Sequence, residues 1–296
     1  MLDTIKKFAS RCNRHRWRTR LVVFSIAYMT FFMFGGCADR FLLYPSTDAL
    51  SAGTAVRRAI PFEKGELEAW VARSPATLRR EPQAFVLAFC GNAERAEWGA
   101  ADTSDWGDKP VELWTINHPG FGGSSGPASL SRLPNAALAA YDAMAKAAGE
   151  RPIYVCGRSL GATLALHVAA QRPAAGLVLR TPPPLRQLIH QEYGWWNLWM
   201  LSTAVAHGVP AEMGALENAR LCKIPAVILL ADYDEVVPYK YQKMVADAYA
   251  GPKEIVIMSG ASHNSELSQS SQEQLRQKLE WLWGKAKQSQ RDADRR

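Results

Sequence analysis

The stretch Tyr154–Leu166, YVCGRSLGATLAL, passes from a short apolar run into a helix-forming one and sets a single serine between two glycines. Gly157-x-Ser159-x-Gly161 fits a sharp strand-to-helix turn. A serine held in such a turn has a strained backbone, and glycines two residues to either side remove side chains that would collide across it. The turn lifts the Ser159 hydroxyl clear of a sheet. It also sets the serine at a helix N-terminus, where backbone N–H groups and the helix dipole favour a developing oxyanion. The same pattern occurs in plain turns, so the rest of the chain has to decide its meaning.

Outward from this turn, short apolar runs alternate with helix-length segments. Residues 83–90, 111–117, 152–157, 176–181, 225–232 and 254–258 look like buried parallel strands. The segments 131–149, 159–173, 238–251 and 265–288 carry apolar residues at helical spacing, most of them closed by Gly or Pro. This alternation predicts a doubly wound, mostly parallel α/β sheet, with an antiparallel pair near 55–62 and 66–74 on its border. The interval 182–222 is too long for an ordinary connection and is expected to be a cap.

A serine nucleophile needs a base, and the base needs an orienting carboxylate. Of the six histidines, His15 precedes the apolar N-terminal run, His118 lies in a glycine loop, His167 falls inside the helix after Ser159, and His190 and His207 are in the cap. His263, in SGASHNSE, follows every strand, as the order Ser, Asp, His requires. No Asp or Glu occurs between Arg151 and Gln191, which leaves LLADYDEVVP at the end of the next strand. Asp234 is the expected acid and Asp232 the alternative.

With these residues in place the sequence resembles the α/β-hydrolase superfamily over roughly 41–284. CGRSLGA is similar to the nucleophile elbow, ADYDEVVP to the acid turn and GASHN to the histidine loop. FCGNAE (89–94) and NHPGFGGSSG (117–126) resemble the oxyanion turn and the following glycine loop of the serine-aminopeptidase-like, abhydrolase-domain branch. The resemblance implies a fold with a helical cap and an oxyanion hole made by the backbone N–H groups of Asn92 and Leu160. The branch normally has His where Cys90 stands, so the packing beneath that turn differs here. His118 is expected to be noncatalytic. The glycines of 120–126 lack the Lys-Ser/Thr of a P-loop and the spacing of a dinucleotide fingerprint, and are expected to shape the site's rim.

The leading expectation is a serine hydrolase that cleaves carboxylic esters or thioesters, with Ser159, His263 and Asp234 as its triad and no cofactor. A peptidase ranks second: an aminopeptidase needs acidic groups for the substrate amine, and Glu192, Glu212 and Glu217 form no evident cluster. A noncatalytic envelope protein binding a partner or lipid is the reading from another class, and a complete triad argues against it. In the cap, Trp195, Trp196 and Trp199 are candidate acyl-binding residues, with packing beneath the cap as the plainer reading.

Charge and cysteines bound the rest. The net charge is +7, but seven Lys/Arg against one Asp precede residue 37, so the remainder is almost neutral and no basic face for nucleic acid is indicated. The basic stretch is followed by the apolar run Leu21–Gly36 and then Cys37. Residues 1–37 therefore read as a signal or anchor, with 38–296 as the hydrolase domain on the far side of the membrane, in a bacterium the periplasm. FGGC resembles a lipobox, which would make Cys37 a lipidation site; an uncleaved anchor helix is the alternative. Cys90, Cys156 and Cys222 lack metal-ligand spacing and read as buried thiols, with no metal expected.

Overall fold

The computed structural model describes residues 17–28, 37–78, 80–100, 102–192 and 200–294. Eight strands form one sheet in the order β1-β2-β4-β3-β5-β6-β7-β8. The first two, β1 (Val56–Phe62) and β2 (Gly65–Arg73), are a hairpin, and β2 also lies antiparallel to β4 (Val111–Ile116). The remainder, β3 (Ala84–Phe89), β5 (Ile153–Arg158), β6 (Gly176–Arg180), β7 (Ala226–Ala231) and β8 (Lys253–Met258), run parallel to their neighbours. This is the expected doubly wound sheet with an antiparallel border.

Position in the sheet explains the strand sequences. Every residue of β4 (VELWTI) and β7 (AVILLA) is buried, because helices cover both faces of the parallel region. Edge strand β1 (VRRAIPF) is mostly exposed and carries two arginines and Pro61, which suit an unpaired edge.

One face is covered by α4 (Leu133–Ala148), α5 (Leu160–Gln171), α8 (Ala215–Leu221) and α9 (Tyr239–Ala248), whose buried residues join the larger core. Helix α4 begins with a proline in its first turn and ends at Gly149, whose φ of 61° stops it. The opposite face is covered by α10 (Gln269–Asp294): Leu275, Leu279 and Leu282 pack on the sheet, and Trp283 stacks on Tyr154 at 5.6 Å.

Between β6 and β7 lie α6 (Leu185–Glu192), α7 (Met200–His207) and α8. Helices α6 and α7 pack on each other, whereas α8 packs between α5 and α9 as part of the sheet's cover. Trp195, Trp196 and Trp199 lie outside the described residues.

At the N-terminal end, residues 17–28 are helical (α1) and expose Trp17, Leu21, Val22, Val23, Phe24 and Ile26. The second part of the apolar run, 29–36, lies outside the described residues, as do 1–16. Among the described residues no helix is long and apolar enough to cross a membrane. Cys37 is the first residue of α2 (Cys37–Leu42), and a one-turn helix α3 (Ala96–Gly99) follows β3.

Candidate active site

Four loops meet at the C-terminal ends of the parallel strands, where sites form in open α/β sheets. Ser159 follows β5, Asp234 follows β7, His263 follows β8 and Asn92 follows β3.

The elbow is fixed by sterics. Ser159 has φ 50° and ψ −120°, a strained conformation for a residue with a side chain, and α5 starts at the next residue, Leu160. A methyl group at Gly157 would run into the carbonyl of Gly161, and one at Gly161 into the carbonyls of Phe89 and Cys90. Only glycine lets the helix start so close to the two strands. From the other side, the Ser159 N–H donates to the Arg180 carbonyl at 2.9 Å.

The structure brings Ser159, His263 and Asp234 into one line. Ser159 Oγ lies 3.0 Å from His263 Nε2, and His263 Nδ1 lies 2.7 Å from Asp234 Oδ2; all three residues are buried. Asp234 is held by the N–H groups of Val236 (2.9 Å) and Val237 (2.7 Å) on Oδ1 and by Gln242 Nε2 (3.1 Å) on Oδ2. These donors orient the carboxylate and leave Oδ2 aimed at the imidazole. Asp232 does something else: its Oδ1 accepts the Gly260 N–H at 2.7 Å and ties the ends of two neighbouring strands. Of the two candidate acids, Asp234 is the one hydrogen-bonded to His263.

Several supporting residues escaped the sequence reading. Fully buried Gln242, on α9, makes four hydrogen bonds: to Asp234, to the Val237 carbonyl, and to both the carbonyl and the N–H of Ala231. A glutamine on the inward face of α9, beside buried Tyr241 and Val245, was the available signal. Arg158, next to the serine, donates through Nη2 to the His263 carbonyl (3.0 Å) and to Asn264 Oδ1 (3.0 Å), and its Nη1 pairs with Glu94. Its partner across the strands, Arg180, donates to the Ser265 carbonyl. Burial, and then the like charge of Arg158, lower the Arg180 pKa from its ordinary value.

The turn 89–94, expected from the sequence to supply an oxyanion donor, is held differently. The Gly91 N–H donates to Glu94 Oε2 at 2.5 Å, and His118 Nε2 contacts the Cys90 carbonyl at 2.9 Å. Burial lowers the pKa of His118, whose ring nitrogen Nε2 is engaged with the turn. The glycine loop after β4 is bound to a carboxylate of the protein itself: Gly123 donates to Glu68 Oε2 (2.8 Å), which also receives Asn117 Nδ2 (2.7 Å). Arg57 reaches the other Glu68 oxygen at 2.8 Å. Cys90, Cys156 and Cys222 are free thiols whose pKa values burial pushes up, that of Cys222 to about 12.

This sheet order, with an elbow after the fifth strand and an acid and a histidine after the last two, is the α/β-hydrolase fold. The chain matches the model of the serine aminopeptidase S33 family over residues 80–207. It is 29% identical over 157 residues to an uncharacterized protein of Mycobacterium tuberculosis, covering 52% of this chain and 53% of that one. It is 24% identical over 155 residues to the lysophosphatidylserine lipase ABHD12 of Danio rerio, covering 48% and 40%. The matches thus span about half the length of the curated relatives. Among solved structures, the esterase Est1E of Butyrivibrio proteoclasticus with ferulic acid bound superposes with a TM-score of 0.62 at 16% identity, over 77% of this chain and 99% of that one. The Pyrococcus furiosus esterase Pf2001 gives 0.59 at 13%, over 81% and 95%. The resemblance to α/β-hydrolases of the serine-aminopeptidase branch is shown; the likeness to the two esterases is one of fold.

Proposed function

We propose that this chain is a membrane-tethered serine hydrolase acting on a small or lipid-like carboxylic ester or thioester. The observation that carries this reading is the continuous hydrogen-bonded line Asp234–His263–Ser159, set on a strained elbow and buried from solvent. His263 Nε2 takes the Ser159 proton as Oγ attacks the substrate carbonyl, and Asp234 stabilises the imidazolium that forms. The backbone N–H groups of Asn92 and Leu160 receive the negative charge on the carbonyl oxygen. Collapse of the tetrahedral intermediate expels the alcohol or thiol, which takes the proton from His263. Water, deprotonated by the same histidine, then frees the acid and restores Ser159.

Arginines 158 and 180 hold the histidine loop by its carbonyls, leaving the ring free to move protons while its backbone stays fixed. Trp195, Trp196 and Trp199 of the proposed cap (182–222) remain candidates for the acyl wall. The names of similar proteins, lysophosphatidylserine lipase and esterase, favour an ester over an amide. The family description, serine aminopeptidase, favours the peptidase reading and keeps it second.

The basic, apolar N-terminal stretch supports a tether, with Cys37 lipidated or 21–36 retained as an anchor, and with the domain facing the periplasm of a bacterial envelope. Replacing Cys37 by Ser separates the two: loss of lipid labelling means a lipoprotein, and an unchanged membrane-bound species means an uncleaved anchor. Recovery of the wild type wholly in the cytosol contradicts both.

The catalytic reading is tested by turnover of p-nitrophenyl esters beside aminoacyl p-nitroanilides. Ser159→Ala and Asp234→Asn are each expected to lower kcat by about 10³-fold or more, while Asp232→Asn stays within about threefold. Near-normal turnover by Ser159→Ala rejects the mechanism, and preference for the anilide moves the peptidase reading to first place.

A further inference from the structure

The chain that follows the proposed tether is bound to the rim of the site at every step. Ala38 and Leu43 are buried in the larger core, and α2 packs against α7 of the proposed cap. Asp39 Oδ1 accepts the Leu130 N–H at 2.7 Å, beyond the glycine loop. The Ser46 carbonyl accepts the Gly122 N–H (2.9 Å) and Arg95 Nη1 (3.0 Å), and the Asp48 carbonyl accepts the same Arg95 nitrogen at 2.9 Å. At the centre of this contact is the side chain of Asn92. Its Nδ2 donates to the Leu42 carbonyl at 2.6 Å, and its Oδ1 accepts the Tyr44 N–H at 3.1 Å.

The Asn92 amide thus uses both of its ends on one neighbouring segment, as a strand residue would. The turn it belongs to does not hold itself by shape, as the elbow does. The next residue, Ala93, sits at φ 60° without being glycine, and its N–H also goes to Asn92 Oδ1, at 3.1 Å. The amide that fixes this conformation is in turn fixed from outside.

We propose that residues 38–48 are a positioning strap for the oxyanion turn, acting through the side chain of Asn92, so that the chain next to the tether sets the rate of the chemical step. This rests on the serine-hydrolase reading, in which the Asn92 N–H stabilises the oxyanion. A donor must lie about 3 Å from that oxygen, and a shift of about 1 Å costs on the order of 100-fold in rate. The strap touches the turn, the glycine loop and the cap, and the hydrogen bonds described for it go to these. Loosening it will therefore lower kcat and leave KM nearly unchanged. Asn92 and the strap residues position; the backbone donor does the chemistry.

The test uses the full chain, with p-nitrophenyl butyrate as substrate. Asn92→Ala removes the amide from one side, and Tyr44→Pro removes the strap's N–H from the other. Each is expected to lower kcat tenfold or more, with KM within about twofold, and the double variant should be hardly worse than the poorer single one, because both break the same contact. If Asn92→Ala does not fold, Tyr44→Pro alone decides. A kcat within twofold of wild type in folded Tyr44→Pro, or losses that multiply in the double variant, overturns the strap. Failure of the hydrolase reading looks different: the wild type itself then turns over no ester.

Discussion

The proposed nucleophile elbow and the proposed oxyanion turn lie side by side at the ends of β5 and β3 and are built on opposite principles. The elbow is fixed by absence: two glycines let the chain close on itself, and any added carbon meets a backbone carbonyl. The oxyanion turn is fixed by reach, since Asn92, Glu94 and Arg95 are held by residues 42–48 and by Arg158, and His118 bears on it from below. A feature fixed by absence is written in consecutive residues and can be read there. One fixed by reach depends chiefly on partners 28 to 64 positions away, which the residues of the turn do not name.

That contrast is sharpest when either side is broken. Gly161→Ala is the largest disturbance, because its methyl group meets backbone that cannot rotate away. It is expected to cost about 3 kcal/mol of stability or to prevent folding, and to abolish activity in whatever folds. The midpoint of urea unfolding and the rate of ester turnover check both. An active enzyme of wild-type stability would show that the elbow has more room than its geometry allows.

Breaking the reach is milder and selective. Arg158→Gln removes the ion pair to Glu94 and weakens the hold on the His263 and Asn264 oxygens, while the residue remains partly exposed. Turnover is expected to fall about tenfold, with unfolding changed by no more than about 1 kcal/mol and partial recovery in Arg158→Lys. Equal activity in all three proteins would leave the arginine a surface role only.

The smallest effect concerns acid. Burial lowers the pKa values of His118 and His167, so the unfolded chain takes up protons before the folded one does. Their contribution to stability is complete above the ordinary histidine value near 6.5 and is lost as pH falls below it. Urea midpoints measured from pH 7.5 to 5 are expected to decline, and to decline less in His118→Asn. Parallel curves for the two proteins would remove His118 from the account.

The same division explains what could be read in advance. Strand runs such as AVILLA, the Gly-x-Ser-x-Gly turn and the polar loops carrying Asp234 and His263 are each contained in a few residues, and their order along the chain supplied the rest. In sequence Asp234 was the expected acid and Asp232 stayed open as the alternative, because two acids two apart differ only in which way the turn points them. The structure separates them by a hydrogen bond each, to Gly260 and to His263. Gln242, Arg158, Arg180 and Glu94 were missed for the opposite reason, since the partners that give them meaning lie elsewhere in the chain. At Cys90, where the branch this sequence resembles has histidine, His118 contacts the backbone carbonyl, while the side chains of Asn92, Glu94 and Arg95 hold the rest of the turn.

The central claim is that Ser159 is the nucleophile activated by His263. It is tested most directly by treating the full chain with a fluorophosphonate and locating the adduct by mass spectrometry of its peptides. The account predicts one phosphonyl group per chain, on Ser159, formed far more slowly in His263→Ala and absent in Ser159→Ala. An adduct on another residue, or undiminished labelling of Ser159 when His263 is removed, would contradict it.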